Sequence, residues 1–195
     1  AELNVDIDLG TMSGPFKLDT DFIYNGQKIA VEGDAGELIE GKPTQIDVDI
    51  SMPDLNVKGA YKGEIVTGDA LAVKGDLNLT AEDLEKTLSA FYGSESKLPE
   101  GMNGALDLST ALVYDGDTAS LSSLKASLGQ LSYEGEVKVA GLKTSPAPQL
   151  NIDLDSTANN VRATTALVKV LSDLSIKGTG TFVDNVATIN DGVIG

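Results

Sequence analysis

GALDLSTALVYDGDTASLSSLKASLGQLSYEGEVKVAGL, residues Gly104–Leu142, decides the fold class. Leu106, Leu108, Thr110, Leu112 and Tyr114 stand at every second position, with Asp107, Ser109, Ala111 and Val113 between them. A side-chain period of two is that of a strand with one face more apolar than the other. Asp115-Gly116 then supplies a pair suited to the positive φ of a tight hairpin. Ala119 and Leu121 begin a return strand, and Tyr133, Val137 and Val139 later alternate with Glu134, Glu136 and Lys138. The stretch reads as an antiparallel meander.

The same grammar extends outward in both directions. Leu3–Leu9 alternates with Asn4, Asp6 and Asp8, and Phe16, Leu18, Thr20, Phe22 and Tyr24 alternate with Lys17, Asp19, Asp21 and Ile23 before Asn25-Gly26. Asn-Gly between alternating runs is the strongest short hairpin signal. Ile46–Ile50, Leu55–Tyr61, Leu71–Leu79, Leu150–Leu154 and Leu174–Phe182 give further strands, with Gly75 read as a bulge or bend. Val186–Ile189 and Val193–Ile194 close the chain. Laying Phe16–Gly26 on Leu106–Gly116 matches apolar face, closing tyrosine and turn, which suggests two weak repeats with units 1–93 and 94–195, forming one continuous structural domain. One helix is expected after Thr80, read as its N-cap with Asp83 three residues on; Leu84, Leu88 and Phe91 share a face and Gly93 ends it. A second is expected over Asn160–Ser172. The expected fold is mainly β: a curved antiparallel meander or β-groove with one or two short capping helices.

Composition removes whole classes of chemistry. The 195 residues include no His, Cys or Trp, which excludes Ser-His-Asp and Cys-His catalysis, zinc fingers and disulfides. A net charge of −16 repels nucleic acid and anionic membrane surfaces. No apolar run approaches the about 20 residues that span a bilayer. Both ends look cut, as in a fragment of a longer protein.

The Asp-x-Asp pairs (Asp6/Asp8, Asp19/Asp21, Asp47/Asp49, Asp153/Asp155) read as the wet face of one-sided strands. Carboxylates two residues apart on a strand are about 6–7 Å apart, too far to chelate a cation unaided. Asp115/Asp117, in a turn, is the best calcium candidate, although no Asp-rich EF-hand loop surrounds it. Glycosidase chemistry on paired carboxylates is disfavoured by the lack of Trp and scarcity of other aromatics. Gly178-Thr179-Gly180 is no phosphate loop, since no Lys-Ser/Thr follows. Neither a catalytic residue, a metal site nor a cofactor is indicated. The apolar surface remains, and a sheet must bury it against something. On pattern alone, a sandwich or closed core is the simpler outcome.

Gly75–Leu88 (GDLNLTAEDLEKTL), Gly104–Gly129, Pro148–Ser156 and the ending GTGTFVDNVATINDGVIG (Gly178–Gly195) are similar, in order and phrasing, to AsmA-like periplasmic proteins of Gram-negative bacteria, which are akin to bridge-like lipid-transfer proteins. The motifs are Gly, Leu, Ser and Asp in strand-and-turn order, across most of Leu71–Gly195 and, through the repeat, Phe16–Gly33. The resemblance implies a long curved sheet with an apolar concave face, on a parent protein anchored in the inner membrane and linked to outer-membrane assembly and phospholipid movement. It implies that Phe16, Leu18, Phe22, Tyr24, Leu106, Leu108, Leu112 and Tyr114 line a groove holding phospholipid or another acyl-chain lipid. Membrane-embedded partner proteins and a periplasmic location also follow, with no enzyme activity and no nucleic acid. The chain departs from the family in lacking the anchor helix, and its acidity argues against direct docking on an anionic bilayer. A structural or adhesive β-repeat of a surface protein is the alternative expectation.

Overall fold

The computed structural model describes residues 3–9, 13–68, 70–93, 98, 103–145, 148–158, 175–183 and 186–194. Twelve strands form one sheet in strict sequence order. They are β1 (Leu3–Leu9), β2 (Phe16–Tyr24), β3 (Gln27–Ala35), β4 (Pro43–Met52), β5 (Val57–Val66), β6 (Ala72–Ala81), β7 (Leu106–Tyr114), β8 (Thr118–Leu128), β9 (Leu131–Ala140), β10 (Gln149–Ala158), β11 (Ser175–Val183) and β12 (Val186–Ile194). Each pairs antiparallel with its predecessor, and the sheet is open and curved. A helix, α1 (Leu84–Tyr92), and a 3-10 turn (Pro53–Leu55) complete the described elements.

Extensive contact between strands is confined to hydrogen-bonded neighbours. Among the described residues no second sheet covers the first, and β1 and β12 do not pair with each other. The sandwich or closed core favoured by pattern alone is therefore not what forms. β6 and β7 pair from Ala81↔Leu106 to Val73↔Tyr114, so the sheet crosses from the first unit into the second without a break.

Local chemistry sets the register. Asn25 (φ 50°) and Gly26 (φ 76°) both take the left-handed conformation of a two-residue hairpin, so Tyr24 pairs with Gln27. In β8, Leu121 and Leu124 stand three apart, which breaks the period of two. The strand answers with a bulge, where Ser123 takes φ 52° and Leu124 returns to the apolar side. The buried Thr110 hydroxyl donates to the Ser122 carbonyl at 3.1 Å beside it. Asn190–Gly192 likewise does not end a strand: β12 continues through a register shift opposite Thr179/Gly180.

Two local expectations are corrected. Gly75 is no bulge; it pairs in regular register with Gly63. The helix N-cap is Asp83 and not Thr80, because β6 runs on to the buried Ala81. Asp83 Oδ1 accepts the Lys86 amide at 2.9 Å, and Gly93 closes the helix with its amide on the Ser89 carbonyl. The second helix, expected over Asn160–Ser172, lies outside the described residues.

Candidate functional site

Residues directly opposite each other in an antiparallel sheet share a face, so the register assigns every side chain to one of two faces. One cross-strand row reads Phe16, Ala35, Ile46, Gly63, Gly75, Leu112, Leu121, Val137, Ile152. A second reads Leu18, Gly33, Val48, Tyr61, Leu77, Thr110, and a third Thr20, Val31, Ile50, Gly59, Leu79, Leu108, Ala126, Tyr133. The apolar face is thus continuous from β2 to β10. At about 4.8 Å per strand the twelve strands span about 53 Å, and strands of this length are about 30 Å long.

All eight residues expected to line a groove lie on this face, but not together. Phe16, Leu18, Phe22 and Tyr24 are on β2 and Leu106, Leu108, Leu112 and Tyr114 on β7, with β3–β6 between them. The two strands run in opposite directions because five steps of a meander separate them. Tyr24 therefore ends at one rim of the sheet and Tyr114 at the other. Between these two strands the face is carried by Val31, Ile46, Val48, Tyr61 and Leu77, which the eight omitted. Their alternation with Asp47, Asp49 and Lys62 was the available signal.

Glycine has a consistent place on this face. The strand-interior glycines 33, 59, 63, 75, 135, 178, 180 and 192 all fall on it by register. Missing side chains relieve crowding on one side, which favours bending toward it. The Gly63–Gly75 pair is a point of close approach between β5 and β6. A Cβ on Gly63 would lie 2.6 Å from Tyr61 Oη, and one on Gly75 would lie 2.9 Å from Tyr61 Cε2 and 2.7 Å from Gly63 Cα. The Tyr61 ring lies over the bare backbone that the two glycines leave. Burial pushes the Tyr61 phenol above its ordinary pKa, with Glu64 and Asp76 adding to the shift.

The two rims differ. At the rim reached by Tyr24, Leu55, Val57 and Ala81 form a buried cluster against which Ala90 and Phe91 of α1 pack. Phe91 also stacks on Tyr24, centroids 6.1 Å apart and planes 22° from parallel. The opposite rim is sewn together by its loops. Leu38 N donates to Ser13 O (2.6 Å), Gly41 N to Thr67 O (2.7 Å) and Leu142 N to Asp117 O (2.8 Å). The Asp117 carboxylate accepts Lys143 N (2.9 Å), Thr144 N (3.0 Å) and the Thr144 hydroxyl. Asp115 Oδ1 accepts Thr118 N (2.7 Å) and Asp117 N (3.1 Å). These amides hold both carboxyls below the usual range, Thr118 foremost for Asp115 and Lys143 for Asp117. The pair suggested as a calcium candidate thus ties loops, and among the described residues no three acidic, His or Cys groups converge in metal-binding fashion.

The other face is charged. Lys17–Asp34 (3.1 Å), Lys62–Asp47 (2.7 Å) and Lys177–Asp153 (3.0 Å) are cross-strand ion pairs, all exposed. Like charges also face each other: Asp19 opposite Glu32, Glu32 opposite Asp49 and Asp34 opposite Asp47. A shallow depression there is lined by Glu32, Asp49, Ser51, Lys58, Asn78 and Thr80, over the small Ala30 and Ala60. No described helix is long and apolar enough to cross a membrane. Comparison with protein-family models, curated proteins and solved structures finds no match for the chain.

Proposed function

We propose that this chain is a lipid-binding segment of a β-groove, of the kind the AsmA-like resemblance implies, in which the apolar face holds acyl chains and the acidic face meets water. On this reading it is not an enzyme. It works in the periplasm, in a parent protein anchored to the inner membrane that supports outer-membrane assembly or lipid homeostasis with membrane-embedded partners. The observation that carries the reading is an apolar surface that is continuous across the strands and that no second sheet covers among the described residues. An acyl chain laying ten methylenes on it gains up to about 8 kcal/mol before the costs of ordering.

Native mass spectrometry of the chain purified from a membrane-containing bacterial lysate tests this directly. Bound phospholipid is expected in the wild type. It should be lost from a still-folded double variant, Phe22→Asp with Leu112→Asp, since each puts a charge on the apolar rows of β2 and β7. A lipid-free mass for the wild type refutes the groove.

The second reading, a structural or adhesive β-module, draws on the facing carboxylates of Glu32–Asp49 and Asp34–Asp47. It predicts melting that depends on calcium, and indifference to calcium counts against it.

A further inference from the structure

The covering of the apolar face is lopsided, and α1 is held differently at its two ends. Its start is bolted down. Leu84 N donates to Gly104 O at 2.9 Å and Glu82 N to Asn56 O at 3.3 Å. Lys86 Nζ donates to Asp54 O at 2.9 Å, and Asp83 caps the first turn. Among the described residues, its far end is held to the sheet by side chains. Ala90 and Phe91 rest on the Leu55–Val57–Ala81 cluster, and Phe91 stacks on Tyr24 across the sheet. Tyr24 remains 57% exposed and the adjoining Tyr92 79% exposed. No residue of α1 is itself fully buried, so what its far half seals is the Leu55–Val57–Ala81 cluster beneath it.

We infer that α1 is a hinged cover on this rim of the apolar face, turning about its bolted start, with the Phe91–Tyr24 stack as its latch. This rests on the groove reading and adds how ligand reaches the groove. Acyl chains reach the Leu55–Val57–Ala81 cluster where α1 lifts, because Ala90 and Phe91 are what cover it. An arriving chain replaces the Phe91 ring on the cluster, so opening and loading are the same event seen from two sides.

Hydrogen exchange and stopped-flow binding of cis-parinaric acid, a naturally fluorescent fatty acid, test the cover separately from the groove. In the free wild type, the amides of Leu88–Tyr92 are expected to exchange faster than those of β5 and β6. Phe91→Ala should speed exchange in that half of α1 about two- to tenfold, the range of one aromatic pair, while β5 and β6 stay as they were. The association rate of the probe should rise by the same factor, and Tyr24→Ala should reproduce both effects. If α1 exchange is unchanged, or every strand speeds up alike, the stack is no latch and the proposal falls. If the probe binds wild type and Phe91→Ala at one rate, the cover is refuted and the groove stands. If neither protein binds the probe, the groove reading fails and the cover's role fails with it.

Discussion

Gly75→Ala is a small change with a large expected cost. Its new Cβ would stand 2.7 Å from Gly63 Cα and 2.9 Å from Tyr61 Cε2, and it would press on the Lys62 carbonyl oxygen. Carbon atoms prefer about 3.5–4.0 Å, so the overlap approaches 1 Å. Two of the three obstacles are backbone of the neighbouring strand, which cannot swing aside as a side chain can. Neither Gly63 nor Gly75 has a positive φ, so the penalty is one of volume and not of conformation. Forcing extra volume into so close an approach costs about 2–3 kcal/mol, or about 5–10 °C in Tm for a chain of this size. Gly59→Ala on the same face is the control, because its nearest neighbour is Leu79 Cδ1 at 3.8 Å, and it should be neutral or slightly stabilising. Adding Tyr61→Ala to Gly75→Ala removes the ring overlap and leaves the backbone overlap, so it should recover less than half of the loss, beyond what Tyr61→Ala costs alone. Urea unfolding followed by far-UV circular dichroism measures all four variants. A Gly75→Ala cost no larger than that of Gly59→Ala would falsify the close-approach account.

Two further expectations concern charge. Asp115 and Asp117 have depressed folded-state pKa values, so the folded chain holds fewer protons there than the unfolded chain. Their contribution is complete above the ordinary carboxylate pKa of about 4 and is lost as pH falls toward the folded-state values. Tm should therefore drop below about pH 4, and the drop should shrink in Asp117→Asn, whose stability at neutral pH is already reduced; parallel acid profiles would contradict this. The Asp19–Glu32–Asp49 run predicts that Asp49→Asn stabilises by about 0.5 kcal/mol at low salt. That gain should fade as added salt screens the wild type, and a gain unchanged by salt would rule out charge repulsion as its cause.

Much of the fold is readable from residue order alone, because period-two alternation and turns such as Asn25-Gly26 are local signals. What local signals do not carry is the number of layers. Leu18, Val48 and Leu108 would alternate in the same way in a sandwich, and only the register shows that they lie on one unbroken surface. Strand direction is lost in the same way. Tyr24-Asn25-Gly26 and Tyr114-Asp115-Gly116 look alike in sequence but occupy opposite rims, since an odd number of strand steps lies between β2 and β7. Gly75 was ambiguous for want of its partner: a lone strand glycine suggests a bulge, and only Gly63 opposite it makes it a point of close approach. The displaced cap has a simpler cause, in that Thr80 and Asp83 both suit a helix start and the burial of Ala81 decides between them. The eight expected lining residues sit on the apolar face, yet choosing them by likeness between two strands left out Tyr61 and Leu77, which lie midway.

A sheet whose strands pair only with their sequence neighbours also has a distinctive mechanics. β1 and β12 lie at opposite outer borders, so tension on the two ends of the chain loads one ladder of hydrogen bonds at a time, like opening a zip. Such a molecule should yield at low force in many strand-sized steps, without the single high rupture of a fold clamped at its centre. Its toughness would then be set by whichever outermost ladder is weakest.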